Sequence, residues 1–304
     1  MIEAIVLTVI TAATPLLLAA TGELVVERSG VLNLGVEGMM IVGAVAAFAT
    51  GSATDSGYLG ALAGMGAGIA LAALFALLSV QLVTNQIATG LALTIFGLGI
   101  AGLFGESFVG LPGKRLDAIE IPLLSDIPFL GPILFAQDAL FYLSLVLAAG
   151  TSWFLFRSRE GLRLRSVGDD PVAAHAIGLH VTRMRTLAVL FGGACAGLAG
   201  AQLVLVYTTQ WIEGVTAGRG WIALALVVFA TWRPLRVVAG AYLFGAVTIA
   251  QFHAQAMGVG VPSQLLAALP YVATIIVLVL IAGSRKLTIM NTPKSLGVPF
   301  VPPR

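Results

Sequence analysis

Residues 157–185 read RSREGLRLRSVGDDPVAAHAIGLHVTRMR and form an Arg-rich island between long apolar runs. Such a basic loop is typical of the cytoplasmic side of a membrane protein. Within it, Asp170 is a favoured N-cap residue, Pro171 suits the first helical position, and Gly178 suits the position beyond the last turn. The stretch therefore predicts a short helix, defined at both ends, on the surface of a cytoplasmic loop.

The composition agrees with a membrane protein. Hydrophobic residues make up 59% of the 304 residues and charged residues 10%, and the mean hydropathy is +1.01. Soluble domains carry about a quarter charged residues. We therefore predict an all-α, polytopic transmembrane helical bundle. The net charge of +2 reflects orientation in a bilayer and indicates no nucleic-acid partner. The single cysteine, Cys195, excludes an internal disulfide and is expected to be a packing residue.

Apolar runs near the length that crosses hydrocarbon predict about eight to ten spans. The first run lacks a basic flank and a cleavage site, so we expect a retained span and not a signal peptide. Two runs, the one starting at Val36 and the short one ending at Trp232, suggest broken or re-entrant helices. Glycines at four-residue spacing in the third and sixth runs predict close helix packing. The runs are 3–22, 36–53, 58–83, 87–109, 138–156, 187–207, 220–232, 235–257 and 265–283.

The distribution of Lys and Arg predicts the orientation. With loop 157–185 inside, the N-terminus lies outside and the C-terminus lies in the cytoplasm. Also inside are Glu27/Arg28, Asn85/Gln86, Arg233/Arg236 and a tail with Arg285, Lys286 and Lys294. The outside loops are 51–57, 110–137, 208–218 and 258–264, which contain Asp55, Asp117, Glu120, Asp126 and Glu213. Lys114 and Arg115 are the exceptions to this rule.

Two glycine-rich segments precede spans on opposite sides of the predicted bundle, at residues 28–40 and 213–223. Polar residues at membrane depth are costly unless they line a cavity or find partners. Interrupted helices in opposite orientation are typical of the inverted repeat of a transporter. Chance glycine-rich turns before spans are the alternative.

Polar and aromatic residues near these segments are candidates for the substrate path. Amide and carboxylate groups can hydrogen-bond a polar substrate, and Trp offers a stacking face. A carboxylate near a helix start can instead stabilise backbone donors, and Trp can belong to the interface belt. The candidates are Asn33, Glu37, Asn85, Gln86, Trp211, Arg219 and Trp221, with Gln251 and His253 as weaker ones.

Two stretches carry a family resemblance. Residues 27–40, ERSGVLNLGVEGMM, and 164–178, LRSVGDDPVAAHAIG, resemble the signature sequences of permease subunits of bacterial ABC importers in the branched-chain amino acid/ribose superfamily. The form NLGVEG at 33–38 resembles the nucleoside and simple-sugar permeases most. The resemblance covers nearly the whole chain, including NQIATG at 85–90 and the glycine-rich run 192–200.

The resemblance implies a nucleoside importer of the bacterial cytoplasmic membrane. Such permeases work in pairs and with an extracytoplasmic substrate-binding protein. The resemblance suggests a different, longer permease as the second subunit, and a pair of identical chains is the alternative. A cytoplasmic coupling helix rests on an ATPase subunit, which hydrolyses the ATP. Arg163, Arg165, Arg183 and Arg185 could pair with acidic groups of the ATPase or with anionic membrane lipids; the alternative is that the positive-inside rule alone explains them. The implied coupling residues are Gly168, Asp169, Asp170, Pro171, Ala173, Ala174 and Gly178, with Val172 and Ala176 also small enough for close seating.

The alternatives are a permease for a simple sugar or a branched-chain amino acid, an ion-coupled secondary transporter, and a membrane-embedded enzyme. The sequence has no G-x-x-x-x-G-K-[ST] phosphate loop and no H-E-x-x-H or Cys/His cluster. We therefore predict no catalytic residue, no metal and no cofactor in this chain. An ion-coupled transporter would use Glu37 or Glu106, which have no obvious partners in the sequence.

The domain organisation is predicted to be simple. Residues 1–290 form a single transmembrane permease domain, and residues 291–304 form a cytoplasmic tail. The tail is rich in Pro, has no apolar period, and is expected to be an extended strap without an assigned function.

Overall fold

The computed structural model describes residues 2–122, 124–125, 127–128, 130–257, 261–282 and 291–301. Within these residues, seven helices are long and apolar enough to cross a membrane, which confirms the all-α, polytopic class. The helices are α1 (Ile2–Arg28), α2 (Val36–Thr54), α3 (Gly57–Ala76), α4 (Gln86–Gly105), α5 (Ala139–Arg157), α6 (Arg159–Asp169), α7 (Pro171–Ala176), α8 (Val181–Gln202), α9 (Arg219–Phe229), α10 (Pro234–Ala256), α11 (Ser263–Ala267) and α12 (Leu269–Ala282).

Each predicted apolar run contains a helix. Short π-helical turns, Leu77–Gln81 and Leu203–Tyr207, lengthen α3 and α8, and a 3₁₀ turn, Glu106–Phe108, lengthens α4. The seventh run is the shortest, and its helix, α9, ends at Phe229, before the predicted boundary at Trp232. The ninth run is divided between α11 and α12. Of the basic tail residues used for orientation, Arg285 and Lys286 lie outside the described residues, as does Asp126.

Two connections carry more structure than the sequence indicated. The predicted outer loop 110–137 contains a small antiparallel pair, β1 (Ala118–Glu120) and β2 (Ala136–Asp138), and a π-helical turn, Gly131–Phe135. Loop 157–185 contains α6 in addition to the predicted short helix. Helix α6 begins there because the Ser158 hydroxyl accepts a hydrogen bond from the Gly161 N–H at 2.9 Å.

Glycines allow α3 and α8 to pack at backbone contact. A Cβ placed on Gly68 would lie 2.2 Å from the carbonyl oxygen of Gly193, and one on Gly197 would lie 2.2 Å from that of Gly64. Such contacts confirm that the small residues of the third and sixth runs are packing residues. Cys195 is buried in the same way, against Gly22 of α1.

Helix α8 defines the two ends of the bundle. At its start, the Arg185 guanidinium donates to the carbonyl oxygen of Ser29 at 3.2 Å. At its far end, the Leu205 carbonyl accepts from the Leu116 N–H at 2.9 Å. The Arg185 end also gathers the C-terminus of α1, loop 157–185, the α9–α10 connection and the tail, since these segments are hydrogen-bonded to one another. The basic segments that the sequence grouped together thus lie at one end.

Helix α2 starts inside the bundle. Residues 29–35 turn back from the end of α1 without helical structure and are mostly buried. Gly38 contacts Leu93 and Thr94, about two turns into α4. Non-helical backbone at this depth is tolerated when protein surrounds it. The interrupted start that the sequence suggested for the second span is therefore present.

Candidate functional sites

The Glu37 carboxylate joins the two glycine-rich segments. One oxygen accepts hydrogen bonds from the Thr216 hydroxyl at 2.6 Å and the Gly218 N–H at 2.9 Å. The other accepts from the Gly220 N–H at 2.6 Å. These donors surround the N-terminus of α9, where the helix dipole favours a negative charge. Glu37 is buried and holds the start of α9 against the start of α2.

Asn33 organises the interrupted segment itself. Its side-chain oxygen accepts from the Gly35 N–H at 2.9 Å, which forms a local turn just before α2. Its own N–H donates to the Glu23 carboxylate of α1 at 3.3 Å. Asn33 is fully buried, so its role in the described structure is to fold the chain into α2.

The start of α4 supports the same segment. Asn85 caps α4 by accepting from the Ala88 N–H at 3.0 Å and is exposed. Gln86 is buried, and its side-chain oxygen accepts from the Leu32 N–H at 2.8 Å. The Thr94 hydroxyl donates to the Leu34 carbonyl at 3.0 Å. Helix α4 therefore supplies the polar partners that the non-helical backbone lacks.

The remaining candidates divide into two places. Arg219 and Trp221 are half-buried in the first turn of α9, beside the Glu37 cluster, and the Arg219 guanidinium lies 4.9 Å from the centre of the Tyr207 ring. Trp211 is buried against Gly105, about 16 Å further along α4 than Thr94. The structure thus brings Asn33, Glu37, Gln86, Arg219 and Trp221 into one region and leaves Trp211 and Asn85 at its borders. Of the weaker candidates, Gln251 is buried and His253 is exposed in α10.

Sequence analysis missed a polar cluster at the end of α1. The Glu27 carboxylate accepts from the indole N–H of Trp232, and the Arg28 guanidinium donates to the Trp232 carbonyl at 2.8 and 3.2 Å. Glu23 is also buried, and one of its carboxylate oxygens has no hydrogen-bond partner among the described residues. Glu23 and Glu27, two acids one helical turn apart directly after the first apolar run, were the signal in the sequence. They were not recognised as buried residues because the predicted span ended at residue 22, whereas α1 continues to Arg28.

The short helix predicted in loop 157–185 is α7, with the predicted ends. The Asp170 carboxylate accepts from the Val172 and Ala173 N–H groups at 3.1 and 2.9 Å. Pro171 occupies the first turn, and Gly178 adopts a positive φ of 89° beyond the last turn. Val172 and Ile177 are 58% and 76% exposed, and Ala173 and Ala176 are also exposed. Helix α7 therefore has a small apolar face on the surface of the protein.

Three of the residues assigned to coupling or pairing lie elsewhere than expected. Ala174 faces inward and packs with Val167 and Phe300, because it lies on the opposite side of α7 from the exposed face. Gly168 is buried against Arg28 and Gly30. Arg185 is buried and hydrogen-bonded within the chain, which excludes for this residue the suggested pairing with an ATPase or lipid. Asp169 and Arg183 are exposed.

Comparison with known proteins identifies the relatives of this architecture. Residues 5–282 match the family described as branched-chain amino acid transport system, permease component. A putative glucose ABC transporter permease of Haloferax volcanii is 45% identical over 81% of this chain and 76% of its own length. A guanosine ABC transporter permease of Bacillus subtilis is 31% identical over 95% of this chain and 93% of its own. A nucleoside ABC transporter permease of Lactococcus lactis is 32% identical over 99% of this chain and 97% of its own.

The match to a transport-system permease agrees with the apolar helices long enough to cross a membrane. It spans nearly all of the chain, and two relatives at 30% identity or more align with almost its full length. The chain belongs to the family of permease components of branched-chain amino acid type transport systems, and it is a membrane-spanning transporter component.

Proposed function

We propose that this chain is the permease subunit of an ABC importer that moves nucleosides across the cytoplasmic membrane, driven by ATP hydrolysis on a separate ATPase subunit. The observation that carries the proposal is its alignment over 95% and 99% of its length with a guanosine and a nucleoside permease. Its partners would be the ATPase, a second and different permease, an extracytoplasmic substrate-binding protein and membrane lipids. In this arrangement the C-terminus and loop 157–185 face the cytoplasm.

The exposed face of α7 supports the docking part of this proposal. Apolar side chains at a water-exposed end of a protein mark an interaction surface. Val172, Ala173 and Ile177 are small or medium-sized, so a partner groove can approach the helix closely. Asp170 and Gly178 fix both ends of α7, so a push on the helix reaches α6 and α8 with little bending. We infer that α7 is the coupling helix.

The geometry around Glu37 supports the transport part. The carboxylate has three donors of its own, so its proposed role is to hold the two interrupted segments together at the substrate path. Arg219 and Trp221 lie beside it and are half-buried, which leaves them suited to hydrogen bonding and ring stacking with a nucleoside. Asn33 and Gln86 then have a supporting role: they accept hydrogen bonds from the backbone of residues 32–35 and hold this segment in place beside the substrate path.

Reconstituted uptake tests the proposal. The two permeases and the ATPase are placed in proteoliposomes with the binding protein, and uptake of guanosine, adenosine, uridine, ribose, glucose and leucine is measured. We expect nucleoside uptake that stops when ATP is omitted or the ATPase is left out. Uptake by the permeases alone, driven by an ion gradient, would show that the chain is a secondary transporter.

A simple sugar is the second candidate substrate. It is favoured by the 45% identity with a putative glucose permease, although that alignment covers less of the chain than the nucleoside permeases do. Nucleosides and glucose share ring hydroxyls, which the same polar groups can bond, whereas a base adds a stacking surface. The uptake assay therefore distinguishes the two candidates: glucose uptake without uptake of any nucleoside would identify a simple sugar as the substrate.

A further inference from the structure

The C-terminal tail is fastened to the end of the bundle that carries α7. The Ser295 N–H and hydroxyl both donate to the Gly168 carbonyl, at 3.0 and 2.7 Å. The Gly297 N–H donates to the Gly30 carbonyl at 3.1 Å. Arg185 binds the tail twice, through the Ser295 hydroxyl at 3.1 Å and the Val298 carbonyl at 3.0 Å. The tail is thus a fixed part of the fold and connects α1, α6 and α8.

Phe300 brings the tail into contact with α7. Its side chain is buried in a small cluster with Val167 of α6, Ala174 of α7 and Val181 at the start of α8. Its ring centre also lies 5.6 Å from that of His175. Ala174 is the buried residue of α7 within the described structure, so the helix rests on this cluster. Phe300 is the largest side chain in the cluster, and its removal would leave α7 poorly supported.

The residues next to Phe300 are apolar and exposed. Val298 and Val301 are 50% and 67% exposed, and residues 297–303 contain no charged or polar side chain. They flank Phe300, which packs on the inward side of α7 at Ala174, so they lie at the end of the bundle that carries the exposed face of α7. Exposed apolar side chains grouped at one end of a protein mark an interaction surface. The permease family supplies a partner for this end, the ATPase, whose docking at α7 is the proposed function.

We propose that residues 291–301 are part of the ATPase-docking end of the protein: Phe300 is a positioning residue that supports α7 from its inward side, and Val298 and Val301 offer the ATPase further apolar surface at the same end. The inference rests on the proposed docking of the ATPase at α7. It gives the tail, which sequence analysis left without a function, a place in the transmission of force. Arg185 and Ser295 then link the docking surface to the start of α8 and the end of α1.

Co-purification with the transporter's own ATPase subunit tests the surface. Both permeases and a tagged ATPase are produced together, with Val301→Asp as the tail variant and Ala173→Arg as the α7 variant. Because Val301 is exposed, the substitution leaves folding intact. We expect about a tenfold weaker association with Val301→Asp, which corresponds to about 1.4 kcal/mol and is the size expected for a contributing interface side chain below the hot-spot range. Val109→Asp, at the opposite end of the bundle, is the matched control and should leave association unchanged.

The positioning role of Phe300 has its own readout, the number of ATP molecules hydrolysed per substrate imported. Phe300→Ala is expected to raise this ratio several-fold in the protein that inserts into the membrane, and to lower the unfolding temperature, because a buried aromatic side chain is lost. Phe300→Leu, which refills most of the space, should restore the ratio. An unchanged ratio in Phe300→Ala would overturn the positioning role.

The co-purification results distinguish ATPase docking at α7 from a role of the tail. Undiminished ATPase association in Ala173→Arg would overturn the proposed docking at α7. Lost association in Ala173→Arg together with wild-type association in Val301→Asp would leave α7 docking in place and overturn the role of the tail.

Discussion

At the scale of single residues, the most consequential side chain is Glu37. It lies 179 positions from Thr216 in the sequence, yet its carboxylate bonds that hydroxyl and two backbone N–H groups around the start of α9. A charged acceptor in a buried site has stronger hydrogen bonds than a neutral one. The carboxylate of Glu37 therefore stabilises the two glycine-rich segments at the place where they meet.

We predict that Glu37→Gln lowers the free energy of unfolding by about 2 to 3 kcal/mol and abolishes most uptake. The amide NH₂ faces backbone donors, and the charge-assisted bonds are lost. Thr216→Val removes one neutral donor and should lower stability by about 1 kcal/mol. Stability is measured by thermal unfolding of the purified complex, and uptake in proteoliposomes. Glu106→Gln, an exposed carboxylate at the end of α4, is the control, and a Glu37→Gln protein as stable as the wild type would contradict the assignment.

At the scale of elements, the helix ends are readable from the sequence and the contacts between elements are not. Asp170, Pro171 and Gly178 act on their own neighbours, so local capping chemistry predicted α7 correctly. Spans followed from apolar length alone. The role of Arg185, in contrast, could not be predicted, because the positive-inside rule does not distinguish an exposed Arg from one bonded to Ser29, Ser295 and Val298.

The glycine contacts of α3 give a prediction at the same scale. A methyl group on Gly68 would meet the Gly193 carbonyl oxygen at 2.2 Å, whereas no described atom lies within 4 Å of one on Gly66. Gly68→Ala therefore forces α3 and α8 apart and should destabilise the protein by about 1 to 3 kcal/mol. Gly66→Ala, two residues away in the same helix, should be neutral or stabilising by up to about 1 kcal/mol.

Thermal unfolding and the yield of membrane-inserted protein measure both alanine variants side by side. Equal losses for Gly66→Ala and Gly68→Ala would mean that the backbone contact with α8 is not what position 68 requires.

At the scale of the whole molecule, α9 is fastened at both ends to the first third of the chain. Its start is bound by Glu37, and the turn after its end is bound by Glu27 and Arg28 through Trp232. Thr231 and Trp232 in that turn both adopt positive φ, at 48° and 53°, a conformation that is unfavourable for these residues and persists only when contacts hold it. The α2 and α9 starts meet, and the two helices run to opposite ends, which supports the predicted inverted repeat.

The site residues could be predicted from the sequence in part, but their partners could not. The glycine-rich segments, Asn33 and Glu37 stand out locally, because polar residues are rare in apolar runs. Their partners cannot be read from the sequence, since the contacts of Glu37 and Arg28 join positions about 180 and 204 residues apart. Glu23 and Glu27 were missed for a simpler reason: a span boundary drawn by hydropathy excluded the last turns of α1.

The proposed ATPase works in the cytoplasm, so it can dock on α7 only if the α7 end of the bundle faces the cytoplasm. We predict that the α7 end is cytoplasmic and the Asp55 end is outside. Because native Cys195 is buried, single cysteines placed at exposed positions report accessibility with little background. Ala173→Cys and Asp55→Cys are both exposed, and the Asp55–Lys114 ion pair lost in the second is a surface pair of small energy.

A membrane-impermeant maleimide should label Asp55→Cys in right-side-out membranes and Ala173→Cys in inside-out vesicles only. Arg28, Arg233 and Arg236 lie with loop 157–185 at the α7 end, and the positive-inside rule predicts that this end faces the cytoplasm. The reverse labelling pattern would place α7 where no ATPase can reach it. Docking at α7 and at the tail would then both be impossible, whereas the assignments of Glu37 and Gly68, which depend only on contacts inside the bundle, would stand.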